Sequence, residues 1–381
     1  MDFMEKEAIV LGDVEMGGGN LTDDFICDKA LSELINQQSK KKGNIDLIFN
    51  GDTFDFLKCP YIDDKGNKSF PRHITAEISL GKMKLVYEAH KPVFQALSKF
   101  VKIKNHNLYF IIGNHDHDLF FPELQEEIKR LIGTPQRVHF PGLSYKQDGL
   151  YVEHGQQYDF LHRINFESLF LNYKGKSLLN FPWASFGLIS TFMDLKEEHP
   201  FLERISPRPL LLSLHHMVLR KISLRSIGYF FKSVLYYPFR YYADPTYNFP
   251  QKLFGEFYYR LKNRHFDVDD IIDVFRKEKK KLTTKVHVLG HIHKTYEQKE
   301  QGKAIIHPGS WKDEYVLDAK TRVLNPKKKY YVQVKIKDKK IDYTLQEIPN
   351  KRSALLFDDV RKNEHSYLHL AAWEEGYQLK I

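Results

Sequence analysis

Five short apolar runs in this chain end in the same way. Ala8 to Leu11 opens onto Gly12-Asp13-Val14-Glu15, Ile45 to Asn50 onto Gly51-Asp52-Thr53-Phe54-Asp55, and Leu108 to Ile112 onto Gly113-Asn114-His115-Asp116. Further on, "GLYVE" runs into His154-Gly155 and "VHVL" into Gly290-His291-Ile292-His293. Helical patterns separate the first three runs, at about Thr22 to Gln38 and about Ile74 to Val101. This alternation predicts α/β layers with a partly parallel sheet. Such sheets bind ligands outside the carboxyl ends of their strands. A fold that delivers Asp, Glu, Asn and His to one sheet edge is therefore the tightest constraint that the sequence sets.

The first strand end, "VLGDVEMGGGN", poses a choice between a glycine cradle for phosphate and carboxylate chemistry. Neither GxGxxG nor GxxxxGK[ST] is present, so the carboxylates carry the argument. Gly17 to Gly19 then let the backbone turn sharply past the site. Asp13 and Glu15 sit two apart and point to one side of an extended chain. Asp52 and Asn114 add oxygen donors, and His154, His291 and His293 add imidazoles. A mixed oxygen and nitrogen set suits Mn, Fe, Zn or Co, with manganese preferred, over calcium or a thiolate zinc site. Seven donors exceed the needs of one ion and suffice for two that share a carboxylate. Two ions about 3.5 to 4 Å apart would bind a phosphoryl oxygen and activate water. His115 is then free to protonate a leaving oxygen, with Asp116 to orient it.

The series GD-x-E, GDTFD, GNHD, HG and GHIH resembles the calcineurin-like metallophosphoesterase superfamily, whose usual pattern is D-x-H, GD-x-x-D, GNH-[DE], H and GH-x-H. The resemblance runs in order from Asp13 to His293. It implies a four-layer α/β/β/α sandwich with Asp13, Glu15, Asp52 and His293 on a first metal. Asp52, Asn114, His154 and His291 would hold a second, with Asp52 bridging. It further implies His115 as leaving-group acid and Asp116 as its partner. Glu15 departs from the usual histidine, and degenerate members that have lost ligands act as scaffolds.

Between the fourth and fifth motifs the alternation stops, and from Tyr229 to Tyr259 Phe and Tyr crowd the sequence with Lys232, Arg240 and Lys252 between them. The expected organisation is a core over 1–156, an inserted and mainly helical cap over 157–282, a second core part over 283–349 and a tail over 350–381. Ala304 to His307, Tyr330 to Ile336 and Lys340 to Gln346 are expected to complete a second sheet. The cap reads either as the packed core of a helical subdomain or as a lid for an apolar or aromatic part of a substrate. In having inserted helices the chain is similar to UDP-2,3-diacylglucosamine pyrophosphohydrolases, although those generally show GN-R-D where this chain has Gly113 to Asp116.

A formal charge of +9 favours an anionic partner, although lysine runs such as Lys279 to Lys281 are commonly solvated faces. Cys27 and Cys59 are too few for a disulfide framework and point to a reducing, cytoplasmic setting. Leu178 to Met193 is uncharged but too short to span a bilayer, which leaves peripheral membrane contact through the insertion open. The expected activity is hydrolysis of an organic phosphate, such as a nucleotide or nucleotide-linked lipid, by water activated between two divalent ions. A nuclease is the alternative enzyme, and a non-catalytic scaffold the reading outside enzymes. His73, His90, His106, His162, His215, His216 and His287 are expected to be structural, as are His117, Asp118 and the turn His307 to Trp311. Asp55 is expected to support the Asp52 loop.

Overall fold

The computed structural model describes residues 5–187, 189, 192–248, 255, 284–300, 302–338, 340–349, 352–376 and 379. Two principal sheets are built from β1 (Lys6–Leu11), β2 (Asn44–Asn50), β3 (His106–Ile111), β4 (Val138–His139), β5 (Ser144–Gln147) and β6 (Leu150–Glu153). They continue with β7 (Val286–Leu289), β8 (Thr295–Glu300), β9 (Lys303–Pro308), β10 (Lys329–Lys337) and β11 (Lys340–Ile348). The first sheet has the order β11-β10-β1-β2-β3-β4 and the second β8-β9-β7-β6-β5. β1 to β4 run parallel to one another, as do β6, β7 and β9.

Parallel strands covered on both faces must be apolar at every position, and β1 shows why Ala8 to Leu11 has no polar residue. Ala8 and Val10 point into the space between the sheets, against Ile48, Ile111, Val152, Val288 and Ile306. Ile9 and Leu11 point the other way, with Leu47, Phe49, Leu108 and Phe110. That outer face is covered by α1 (Asp28–Gln38), α2 (Ala76–Ala89), α3 (Lys91–Val101) and α4 (Pro122–Ile132). On the far face of the second sheet, Leu289 and Ile305 pack with Tyr158, Ile292 and Tyr296. The result is the α/β sandwich that the motif order implies.

Three expectations are corrected. β10 and β11 do not complete the second sheet; they extend the first, because β10 pairs antiparallel with β1 and adds Val332, Val334 and Ile336 to the core between the sheets. The stretch from Ile74 to Val101 is two helices broken at His90, and Pro92 sits in the first turn of α3, where its missing N–H is not needed. α1 begins at Asp28, six residues later than expected, because the preceding segment is drawn into side-chain contacts with the Gly17 to Gly19 turn.

Within the inserted region, Phe170–Tyr173 and Lys176–Leu179 form a hairpin. Helices follow at Trp183–Gly187, Met193–Glu198, Arg208–Leu214, His216–Leu235 and Tyr237–Tyr241. The remainder of the expected cap, 249–254 and 256–282, lies outside the described residues. The expected tail folds back as helices Phe357–Lys362 and Glu364–Glu374, which share a core with Phe201, Ile205 and Leu211 of the insertion. A small sheet of Ile205–Ser206, Tyr315–Leu317, Val323–Pro326 and Leu355–Leu356 joins the same parts. No described helix is long and apolar enough to cross a membrane.

Candidate metal centre

The loops that leave β1, β2, β3, β6 and β7 converge, and close backbone approach explains the glycine before several of the donors. A Cβ on Gly113 would lie 2.1 Å from Asp52 Oδ1, and Gly51 has φ +75° with the His154 side chain 2.6 Å from where its Cβ would be. The Val14 and Glu15 amides donate to the Asp52 carbonyl at 3.1 and 2.7 Å, which locks the first two loops together. Glu15, Asp52, His291 and His293 all have positive φ, at 55°, 47°, 77° and 54°. Left-handed backbone at a residue other than glycine costs roughly 1 to 3 kcal/mol and concentrates at functional sites.

All seven donors meet there. His293 Nε2 lies 3.1 Å from Glu15 Oε1 and 3.6 Å from Asp13 Oδ1. His154 Nε2 lies 3.1 Å from Asp52 Oδ2, 3.1 Å from Asn114 Oδ1 and 3.7 Å from Asp13 Oδ1. His291 Nδ1 is 2.7 Å from Asn114 Oδ1. The donors thus form two neighbouring groups, one around His293 and one around His154 and His291, with Asp52 and Asp13 between them.

The donor set fits divalent ions. Asp13, Glu15 and Asp52 are almost fully buried, Asp13 Oδ2 has no hydrogen-bond donor, and Glu15 Oε1 faces the His293 imidazole. Burial pushes the Asp13 carboxyl up, against the pull of His154 and His293. Three carboxylates out of water need compensating positive charge. Burial lowers His154, yet the facing Asp52 and Asp13 raise it to about 10, which shows the cluster drawing in a cation. His154 Nδ1 donates to the Asn50 carbonyl at 2.9 Å, so Nε2 is its ligand face. Asp52, His154 and His291 offer donor atoms all within 4.8 Å of one another.

Residues that the motifs do not contain complete the site. Asp159 Oδ2 lies 3.2 Å from His291 Nε2 and 2.7 Å from His162 Nδ1, which turns His291 Nδ1 toward Asn114. His162 is therefore beside the centre rather than remote from it, its ring 5.2 Å from that of His291. Glu15 is held from behind by two buried ammonium groups, Lys58 Nζ at 3.0 Å and Lys312 Nζ at 3.2 Å from Oε2. Burial alone would raise the Glu15 carboxyl, but Lys312 and Lys58 keep it well below the usual range. Both lysines also reach Asp24, which Lys196 and Arg204 contact in turn, and Glu203 pairs with Lys58 and Lys196. A histidine at position 15 would need none of this; a glutamate turned toward His293 with one oxygen requires a counter-charge on the other.

The expected pairing of Asp116 with His115 is corrected. Asp116 accepts backbone N–H bonds from Gly113 at 2.6 Å and Thr53 at 2.8 Å and so ties two ligand loops together. The carboxylate on His115 Nδ1 is Asp55, at 2.9 Å, which also pairs with Lys58. Burial would lower His115, but Asp55, Glu15 and Asp52 raise it to about 9. Burial and Asp52 push Asp116 up to about 7.

The glycine turn does cradle an anion, and it is the chain's own. Asp23 accepts from the Gly17 amide at 3.1 Å and the Gly19 amide at 2.8 Å, and His90 bridges Asp23 and Asp28. His117 is buried and stacks on Phe181 of the insertion at 5.4 Å. Ser310 bridges to Asp13, and the Trp311 amide donates to the Asp13 carbonyl at 2.7 Å, so the turn after β9 braces the first ligand.

The model of the calcineurin-like phosphoesterases matches residues 8–295. This chain belongs to that family. As a calcineurin-like phosphoesterase it is a metal-dependent phosphoester hydrolase, and its candidate ligands lie within the matched span. Among solved structures, it is similar to a Streptococcus pneumoniae protein named as a predicted phosphoesterase, at 11% identity over 90% of this chain and 97% of that one, with a TM-score of 0.27. It is also similar to a Staphylococcus aureus protein named as a 5'-nucleotidase, at 12% identity over 98% of this chain and 58% of that one, with a TM-score of 0.29. No curated protein matches the phosphoesterase.

Proposed function

We propose that this phosphoesterase uses two divalent ions, manganese by preference, to hydrolyse an organic phosphate such as a nucleotide or nucleotide-linked lipid. The observation that carries the reading is the convergence of seven buried or half-buried donors in two groups, with an unpartnered carboxylate oxygen on Asp13. Asp13, Glu15, Asp52 and His293 would hold one ion, and Asp52, Asn114, His154 and His291 the other. When bound, the ions would supply Lewis acidity to a phosphoryl oxygen and lower the pKa of a water.

The chain's own residues do the rest. His115 is charged at neutral pH and hydrogen-bonded to Asp55 through Nδ1, which leaves Nε2 to donate a proton to the departing oxygen. Asp116 holds the Asn114 and Asp52 loops at a fixed separation. Asp159 orients His291, and the Asn50 carbonyl orients His154. Phe181 of the insertion, stacked on His117, ties the insertion to the loop that carries His115 and so supports a lid for a substrate with an apolar or π-bearing portion. The buried free thiols of Cys27 and Cys59 support a reducing, cytoplasmic setting.

Purified protein assayed on aryl phosphate monoesters and diesters, with manganese added and then chelated, tests the reading. Turnover that appears with the metal and disappears with the chelator is expected. Cleavage that survives complete chelation, or none of either ester at saturating metal, would sink it.

A further inference from the structure

We propose that the outward face of the helix His216–Leu235, with the segment that follows it, is a docking surface for an anionic lipid bilayer. The helix has two apolar stripes. At about 100° per residue, Val218, Tyr229 and Ser233 form the buried stripe that packs on the rest of the insertion. Leu224, Ile227, Phe231 and Leu235 recur at three- and four-residue steps on roughly the opposite side, with Met217 two turns before Leu224 on that side, and all five are exposed. Beyond Pro238 the pattern continues in Phe239, 78% exposed, and Tyr242, 91% exposed. Single exposed apolar residues are ordinary, but a contiguous stripe of this length marks an interaction surface.

The charge on this stretch selects the occupant. From Ile205 to Ala243 there is no Asp or Glu, while Arg208, Arg220, Lys221, Arg225, Lys232 and Arg240 are all present; Lys221 pairs with Glu198 and Arg208 lies 4.0 Å from Glu203, so the exposed Arg220 and Lys232 carry the argument. A second copy of the chain would set the exposed Arg220 and Lys232 of one face against the same residues of the other. A single-stranded nucleic acid would meet Met217, Leu224, Ile227 and Leu235, whose aliphatic side chains cannot stack on bases. An anionic bilayer suits both features, since aliphatic side chains enter the acyl boundary while lysine and arginine meet the headgroups. Tyr236, Tyr241 and Tyr242 are of the type that settles at the headgroup level. The helix would lie in the interface, in keeping with the absence of a membrane-crossing helix among the described residues.

The buried side of the helix packs on aromatic residues of the insertion. On the buried side Tyr229 packs on Trp183 at 5.0 Å, and Phe181, which stacks on His117, packs edge-on against Phe186 at 5.8 Å. Binding is read without turnover and stands apart from the hydrolase reading.

The full chain is sedimented with vesicles of phosphatidylcholine containing about one third phosphatidylglycerol, and with pure phosphatidylcholine. Wild type should pellet with the anionic vesicles and bind the neutral ones about tenfold or more weakly. Leu224→Asn/Phe231→Asn and Arg220→Glu/Lys232→Glu should each lose about tenfold in vesicle binding, with the circular dichroism spectrum and the cleavage of a soluble aryl ester unchanged. Protein that stays in the supernatant with both vesicles overturns the proposal, and so do variants that bind as wild type does. A dimer in light scattering that the apolar variant dissolves would assign the face to a second copy. Oligonucleotide binding that the same variants abolish, without vesicle binding, would assign it to nucleic acid.

Discussion

Glu15 stands where a metal-binding histidine is usual, and the obvious repair, Glu15→His, is expected to damage the protein. Lys312 Nζ lies 3.2 Å from Glu15 and 3.4 Å from Asp24, and Lys58 and Lys196 draw on Asp24 as well. Removing Glu15 leaves three buried ammonium groups with Asp24, Asp55 and Glu203 as their acids. At an effective dielectric near 20, one unit pair at this separation is worth about 5 kcal/mol. Breaking a buried pair from one side typically costs about 3 to 5 kcal/mol, and the surviving partners put the expected cost at the lower end, about 3 kcal/mol. Lys312→Met should cost a similar amount by leaving Glu15 with Lys58 alone. The double variant removes both charges and should cost at least about 2 kcal/mol less than the sum. Urea unfolding of the metal-stripped protein and its three variants at neutral pH closes the cycle. Additivity within about 0.5 kcal/mol would show that Glu15 and Lys312 do not work as a unit.

Four further outcomes follow from the contacts of individual side chains. His115→Ala should retain metal yet lose about 10² to 10⁴ in rate on esters with poor leaving groups and little on p-nitrophenyl esters; equal loss on both would remove the acid role. In the same assay Asp55→Asn should move the alkaline limb of kcat/KM to lower pH, because the carboxylate that holds the acid near 9 is gone, and an unmoved limb would contradict that. Asp159→Asn should weaken manganese binding about 10- to 100-fold in equilibrium dialysis by freeing the His291 ring, and unchanged affinity would make Asp159 incidental. His90, clamped by Asp28 and Asp23, is raised to about 10 against the roughly 6.5 of an unfolded chain. Its protonation therefore stabilises the fold fully below pH about 6.5, and a few kcal/mol are lost as pH rises through 10. His90→Gln should flatten that alkaline loss in unfolding measurements, and an unchanged pH slope would refute the clamp.

Strand, glycine and donor lie next to one another in sequence, so each strand end was legible there, and so was the convergence of the seven donors. What was not legible depends on partners distant in the chain. β10 and β11 read clearly as strands, but alternation specifies a strand's faces and not its neighbour, so their pairing beside β1 did not follow. Asp116 is the carboxylate next to His115 in sequence, and only the fold shows that it is taken up by the Gly113 and Thr53 amides while Asp55, sixty residues away, reaches His115 instead. Lys58 and Lys312 look like ordinary surface lysines. The one available signal was Glu15 itself, since a buried glutamate in place of a neutral imidazole demands a cation from somewhere. His162, expected to be structural, is brought to His291 by Asp159, three residues before it. In the insertion the aromatic crowding was plain, but which residues were packed and which exposed was not, because His216–Leu235 has apolar stripes on two sides.

The central claim is a two-ion centre shared through Asp52, and its most direct test is stoichiometry. Metal-stripped protein titrated with manganese and followed by equilibrium dialysis, with electron paramagnetic resonance on the same samples, should reach two ions per chain with spectra of a coupled pair. Asp52→Asn should bind at most one and lose the coupling. Saturation of the wild type at a single uncoupled ion, or no binding, would contradict the account.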